Sequence, residues 1–65
     1  MLTFEAQGRR FSAWRHDADG AVYILVRHLD GSWKLTIRPR QGREELHTIT
    51  EDEGRALLAA WNLTE

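Results

Sequence analysis

The first fifty residues of this chain are built from short segments in which apolar and polar side chains alternate. Alternation with a period of two is the pattern of a β-strand that buries one face. The segments are separated by Gly8-Arg9, "DADG", Asp30-Gly31 and "PRQG", which are rich in the residues that favour turns. The pattern predicts an antiparallel sheet of four or five strands, and the candidate strands are "LTFEAQ", "RFSAWRH", "AVYILVRHL", "SWKLTIR" and "REELHTIT".

The periodicity changes at Thr50, where the sequence "TEDE" begins. In this capping-box pattern, the Thr50 side chain accepts the amide of Glu53 while the Glu53 side chain reaches back to the amide of Thr50. The acidic residues also lie favourably at the positive end of a helix dipole. Apolar residues then recur at helical spacing and predict a helix over about residues 51–62: Leu57, Leu58, Ala60, Trp61 and Leu63.

The Asp30-Gly31 pair determines the predicted pairing of the third and fourth strands. Asp-Gly favours a two-residue type I′ turn, in which both residues have positive φ. Such a turn places Arg27 opposite Lys34, although like charges directly opposed across a sheet destabilise it. If every hairpin pairs its strands so that apolar residues face apolar residues, the apolar side chains collect on one face of the sheet, and we expect the helix to cover that face. The residues of this predicted apolar face are Leu2, Phe4, Ala6, Phe11, Ala13, Val22, Ile24, Val26, Trp33, Leu35 and Ile37, with Leu46 if the fifth strand follows.

The predicted fold is therefore α+β, an antiparallel four- to five-stranded β-meander with one C-terminal α-helix packed on one face. We expect residues 1–65 to form a single small domain, with the sheet over about 2–49. A domain of this size buries only about 60% of the surface of its unfolded chain. Its core is therefore marginal unless a partner shares it.

The face opposite the helix is expected to carry cations beside exposed aromatic rings. Cations can contact phosphates, and rings can stack on unpaired bases for about 1–3 kcal/mol each. We therefore predict a small nucleic-acid-binding accessory or regulatory domain, for single- or double-stranded DNA or RNA. Its phosphate contacts are predicted at Arg10, Arg27, Lys34 and Arg38, and its stacking rings at Trp14 and Tyr23.

Two other interpretations of this face remain open. Trp14, Tyr23, Leu25 and Leu29 could anchor a protein partner, because contiguous exposed apolar surface usually marks a contact. The chain would then be a non-catalytic interaction module, homodimeric or docked on a larger complex. Alternatively, pairing of Arg38 with Glu45, and of Arg10 with Glu5, would leave a solvated lattice of ion pairs.

The charge distribution makes a basic surface possible. The formal net charge is −1, but residues 1–43 hold eight Lys or Arg against four acids, whereas residues 44–65 hold one Arg against six acids. A change of sign between the halves of a chain can indicate a charged partner surface. Neutralisation of one half by the other within the fold is the competing interpretation.

Several other classes of function are disfavoured. The chain has no cysteine, which excludes disulfides and thiolate metal ligands, and its three histidines are dispersed. It has no Gly-rich phosphate loop and no pair of carboxylates placed to act together. We therefore expect no metal, no cofactor and no enzymatic activity. No apolar run approaches the roughly 20 residues of a membrane span, and no signal peptide is evident, so we expect a cytoplasmic protein away from membranes.

At the level of architecture, a strand meander ending in "TITEDEGRALLAAW" resembles the single-strand-binding transcriptional coactivators. That resemblance implies a helix after four strands, dimerisation, and nucleic acid held on the sheet. The stretch "DGSWKLTIR" is also similar to the reading ribbon in the small arm-binding domains of phage-type integrases. Both similarities are of spacing without a diagnostic motif, so neither transfers catalytic residues.

Overall fold

The structure is a computed structural model that describes the backbone of residues 2–6 and 9–64 and the side chains of residues 11–64. The chain forms five strands followed by one helix: β1 (Leu2–Ala6), β2 (Arg9–Ala18), β3 (Ala21–His28), β4 (Trp33–Arg38), β5 (Glu45–Ile49) and α1 (Glu51–Ala60). The strands form one antiparallel sheet in the order β1-β2-β3-β4-β5. The predicted α+β meander with a C-terminal helix is confirmed.

The hairpin between β2 and β3 closes through Asp19 and Gly20. Both residues have positive φ, 52° and 79°, and the flanking Ala18 and Ala21 are paired. These are the features of a two-residue type I′ turn, whose twist matches that of the flanking strands. The Asp-Gly pair of "DADG" therefore forms the tightest kind of hairpin connection.

The second Asp-Gly pair forms a different turn. Only Gly31 has a positive φ, 89°, and its amide donates to the carbonyl of His28 at 3.0 Å. The amide of His28 donates to the carbonyl of Ser32, so the loop contains three residues, 29–31. This is a three-residue hairpin loop with a left-handed glycine at its end.

The Asp30 carboxylate stabilises this loop. Its Oδ1 accepts from the amide of Ser32 at 2.9 Å and from its Oγ at 2.7 Å. These hydrogen bonds, chiefly the one from the hydroxyl, lower the pKa of Asp30. The side chain thus favours the longer loop over the type I′ turn.

The longer loop shifts the register between β3 and β4 by one residue. Arg27 lies opposite Trp33, and Lys34 lies opposite Val26, so the predicted opposition of Arg27 and Lys34 is wrong. A shift of one residue moves every side chain of a strand to the other face. The two faces of β2 and β3 are consequently exchanged relative to those of β4.

The helix covers the face of the sheet that carries Trp14, Leu25, Trp33 and Leu35, which we call the covered face. These side chains form the buried core together with Leu58 of α1. Trp14 and Trp33 stack with centroids 5.9 Å apart and ring planes 5° apart. The core is completed by partly buried apolar side chains: Tyr23, Ile37, Ile49, Leu57, Trp61 and Leu63.

The predicted core is therefore correct for β4 and wrong for β2 and β3. Trp33, Leu35 and Ile37 lie on the covered face as expected. Strand pairing places other residues of the predicted core on the opposite face, which we call the open face: Phe11, Ala13, Val22, Ile24, Val26 and Leu46. Ala13 is nevertheless buried, as predicted, with 5% of its surface exposed. The side chains of Leu2, Phe4 and Ala6 lie outside the described residues.

Both ends of α1 are capped by local hydrogen bonds. The predicted capping box is confirmed, since the Glu53 amide donates to Thr50 Oγ1 and the Thr50 amide donates to Glu53 Oε1. At the other end, Asn62 is left-handed with a φ of 57°. The amides of Asn62 and Leu63 donate to the carbonyls of Ala59 and Leu58, which is a Schellman motif. This cap turns residues 61–64 back over the sheet.

Candidate interaction surface

The predicted stacking residue Trp14 is part of the hydrophobic core. Its side chain is 0% exposed, and its Nε1–H donates to the carbonyl of Thr64 at 2.9 Å. A base can stack only on a ring face that is accessible. The placement of Trp14 on an uncovered face was therefore wrong, and the cause is the register of the β3–β4 hairpin.

Tyr23 also lies on the covered face, in a cluster of three rings at the end of the helix. The Trp61 ring stacks on His16, with centroids 4.9 Å apart and planes 8° apart. The Tyr23 ring lies tilted at 45° to Trp61, with centroids 5.9 Å apart. Tyr23 is half-buried by this cluster instead of being presented on the open face.

Arg27 is held against the stacked indoles. Its guanidinium carbon lies 5.7 Å from the ring centroids of both Trp14 and Trp33. This is cation–π geometry, which places the charge over the electron-rich faces of the rings. The placement of Arg27 on the face opposite the helix is also corrected by the structure.

Two of the other predicted phosphate contacts lie on the opposite face of the sheet from Trp14, Tyr23 and Arg27. Lys34 and Arg38 lie on the open face, paired with Val26 and Val22 respectively. The backbone of Arg10 pairs with Glu5, and its side chain lies outside the described residues. The six predicted nucleic-acid-binding residues are thus not brought together on one surface. Whether any of them binds nucleic acid stays a prediction.

The predicted protein anchors are divided in the same way. Leu25 is 0% exposed in the core, so its placement on an uncovered face was wrong. Leu29 is 76% exposed, but it lies in the three-residue hairpin loop. Leu29 therefore remains accessible, although the other three anchors lie on the covered face.

The open face carries an apolar groove that runs across four strands. Its volume is about 410 Å³, and its lining includes Phe11 of β2, Val26 of β3, Lys34 and Thr36 of β4, and Leu46 and Thr48 of β5. Leu46 at the sheet edge is 75% exposed. Isolated apolar residues are common on protein surfaces, whereas contiguous apolar surface indicates a contact.

Sequence reasoning placed the apolar side chains of this groove, Phe11, Val26 and Leu46, in the core. Strand β3 is apolar on both faces, since Tyr23 and Leu25 alternate with Val22, Ile24 and Val26. Alternation therefore cannot identify its buried face. The signal that could have done so is the preference of Asp and Ser for side-chain-to-backbone hydrogen bonds in "DGS", which favours the longer loop.

Two cations of the open face are already paired with carboxylates. Arg38 Nε lies 2.6 Å from Glu44 Oε1, so Glu44 is its partner instead of the predicted Glu45. Arg15 Nε lies 2.9 Å from Asp17 Oδ1, and this hydrogen bond lowers the pKa of Asp17. Both pairs are exposed, so each contributes little to stability.

No group of three or more candidate metal ligands occurs among the described residues. Within the same part of the chain, no helix is long and apolar enough to cross a membrane. Comparison of the chain with protein-family models, with curated proteins and with solved structures gave no match. A proposal for its function therefore depends on the geometry of this surface.

Proposed function

We propose that this chain is a non-catalytic protein-interaction module that uses its open face as the contact surface. The observation that carries the proposal is the apolar groove across β2 to β5, bordered by an exposed Leu46. Domains are generally built from layers that bury each other's apolar faces. Here the helix covers one face of the sheet, and the groove lies on the other.

The size of the domain supports this proposal. A chain of 65 residues has few side chains with which to build a core, and its fully buried large side chains are Trp14, Leu25 and Trp33. Small domains gain stability when a partner buries further apolar surface. Binding at the open face would therefore stabilise the fold as well as form a complex.

Nucleic-acid binding is less well supported by the same geometry. The rings of Trp14 and Trp33 are buried, and two of the open-face cations, Arg15 and Arg38, have carboxylate partners. Single-strand binding uses accessible aromatic rings together with several cations that contact phosphates. The described side chains that line the groove of the open face include one lysine and no arginine.

Two exposed leucines provide a matched pair for the test. Leu46 borders the groove and Leu29 lies in the hairpin loop, and they are 75% and 76% exposed. Proteins captured from a lysate of the source cells by the immobilised chain would be purified, and their affinity measured by calorimetry. We expect Leu46→Asp to weaken binding about tenfold or more, as for a buried interface anchor, and Leu29→Asp to change it less than twofold.

Equal affinities of the Leu46→Asp variant and the unchanged chain would contradict the proposal. A second arm uses fluorescent single- and double-stranded oligonucleotides at about 50 mM salt, where phosphate contacts are strong. Binding that weakens steeply with salt and is reduced by Lys34→Glu would favour nucleic acid instead. Thermal unfolding of each variant establishes that it is folded.

A further inference from the structure

We propose that the groove on the open face binds an acidic, apolar peptide segment of a partner protein, with a carboxylate of that segment contacting Lys34. This inference rests on the proposed function and specifies the chemistry of the partner. It follows from the composition of the groove and from the ion pairs around it.

The groove combines aliphatic and aromatic walls with one ammonium group. Phe11, Val26 and Leu46 supply apolar surface on three strands, and Lys34 lies among them on β4. Strand pairing places Val26 on one side of Lys34 and Thr48 on the other. The nearest cross-strand neighbours of this ammonium group are therefore uncharged.

The carboxylates of the open face cannot neutralise Lys34 without abandoning other partners. Asp17 is bound to Arg15 and Glu44 to Arg38, and no carboxylate lines the groove among the described side chains. Asp30 of the β3–β4 loop interacts electrostatically with Lys34, but its carboxylate is held by two hydrogen bonds from Ser32. A charge that is buried without a partner is costly. Any occupant that covers the groove is therefore favoured if it brings its own negative charge to Lys34.

A second copy of this chain fits the groove less well. If two open faces packed together about a twofold axis, both would bring the ammonium group of Lys34 into the interface, while their carboxylates at Asp17 and Glu44 were already engaged. Like charges brought together in an interface oppose association. A nucleic acid would find one lysine and no arginine among the described side chains that line the groove.

The span of the groove fits a short peptide. From β2 to β5 there are three strand spacings of about 4.8 Å, or roughly 14 Å. An extended chain crosses this distance with about four or five residues at 3.3–3.4 Å each. Such a segment can present apolar side chains to Phe11 and Leu46 with a carboxylate between them.

The test uses a phage-displayed library of random twelve-residue peptides. Selections are run in parallel on the immobilised full chain and on its Lys34→Met variant, in which Met keeps an apolar stem without the charge. Lys34 is exposed, and thermal unfolding verifies the fold of the variant. We expect the full chain to select peptides that combine Asp or Glu with Leu, Ile or Phe, and the Lys34→Met variant to select apolar peptides without acidic enrichment.

The best peptide from the full chain is then synthesised and its affinity measured. We expect Lys34→Met to weaken it about five- to tenfold and increasing salt to weaken it further, as for a charge pair at an interface. Leu46→Asp should also weaken it, whereas Leu29→Asp should leave it unchanged. Selected peptides that lack acidic residues, or that bind the Lys34→Met variant equally well, would overturn the inference.

Other outcomes separate the inference from the proposed function. In one such outcome, the selected peptides are apolar and their affinity depends on Leu46 but not on Lys34. In another, sedimentation velocity shows a dimer that Leu46→Asp dissociates. Either result overturns the inference of an acidic partner but retains the proposal that the open face binds protein. Salt-sensitive oligonucleotide binding reduced by Lys34→Glu overturns both. Absence of any Leu46-dependent binding, by peptides or by a second copy, also overturns both.

Discussion

The indole ring of Trp33 packs against Gly54, so closely that a Cβ added at this glycine would lie 2.7 Å from ring carbons Cδ2 and Cζ3. The first turns of α1 therefore approach the sheet at a position without a side chain. This contact sets the distance between the helix and the covered face.

We expect Gly54→Ala to destabilise the protein, although alanine favours helix by about 1 kcal/mol over glycine. Overpacking a core costs about 1–3 kcal/mol, so a net loss of up to about 2 kcal/mol is expected in urea denaturation. In a Trp33→Leu background, the same substitution should instead be neutral or stabilising. An increase in stability from Gly54→Ala in the unchanged chain would contradict the close contact.

The two Asp-Gly pairs respond differently to a second glycine. Asp19 has a positive φ, which glycine adopts freely, so Asp19→Gly should leave the urea midpoint unchanged or raise it. Asp30→Gly should lower the midpoint, because it removes the acceptor of the two Ser32 hydrogen bonds. Equal effects of the two substitutions would argue that both hairpins have type I′ turns.

Deletion of residues 63–65 should destabilise the protein by about 2–3 kcal/mol, since it removes the acceptor of a buried donor and an apolar side chain. The acceptor of the Trp14 Nε1–H is the main-chain carbonyl of Thr64, and Leu63 packs on the core. Thr64→Ala is the control, because it keeps that carbonyl. A large loss of stability in Thr64→Ala would show that the side chain matters instead.

The Asp30 carboxylate should make stability depend on pH in acid. Its pKa in the folded protein is lowered by the Ser32 hydrogen bonds. Its contribution is therefore full above the unfolded value of about 3.9 and is lost as the pH falls through the lower folded value. Asp30→Asn keeps an oxygen acceptor without the charge, so its midpoint should fall less than that of the unchanged chain between pH 5 and pH 2, compared by urea denaturation. Parallel decreases in both proteins would exclude this contribution.

The strands and the helix of this protein can be predicted from local sequence patterns. The loop between β3 and β4 determines which side chains of β2 and β3 lie under the helix. Strand β4 shows its buried face directly, because Trp33, Leu35 and Ile37 alternate with Lys34, Thr36 and Arg38. The helix is evident from Thr50 and Glu53 for similarly local reasons. These elements need no information from elsewhere in the chain.

Strand alternation alone could not identify the candidate surface, because β3 is apolar on both sides. Its assignment depended on the loop at Asp30-Gly31, where side-chain hydrogen bonds to Ser32 favour a longer loop than the dipeptide alone suggests. A single added residue in that loop moved Trp14 and Tyr23 under the helix and brought Val26 into the groove. The same shift removes the predicted like-charge contact, because Lys34 pairs with Val26 and not with Arg27.

The hydrogen bond from Trp14 to Thr64 joins residues 50 positions apart, whereas every strand of the sheet pairs with its neighbour along the chain. Pairing between neighbours requires only short loops to close, and such topologies fold rapidly. The meander can therefore assemble hairpin by hairpin, but its second layer is completed only when the last residues reach β2. Because release of the segment that follows α1 breaks this bond, deuterium exchange at the Trp14 indole reports how often that segment leaves the sheet.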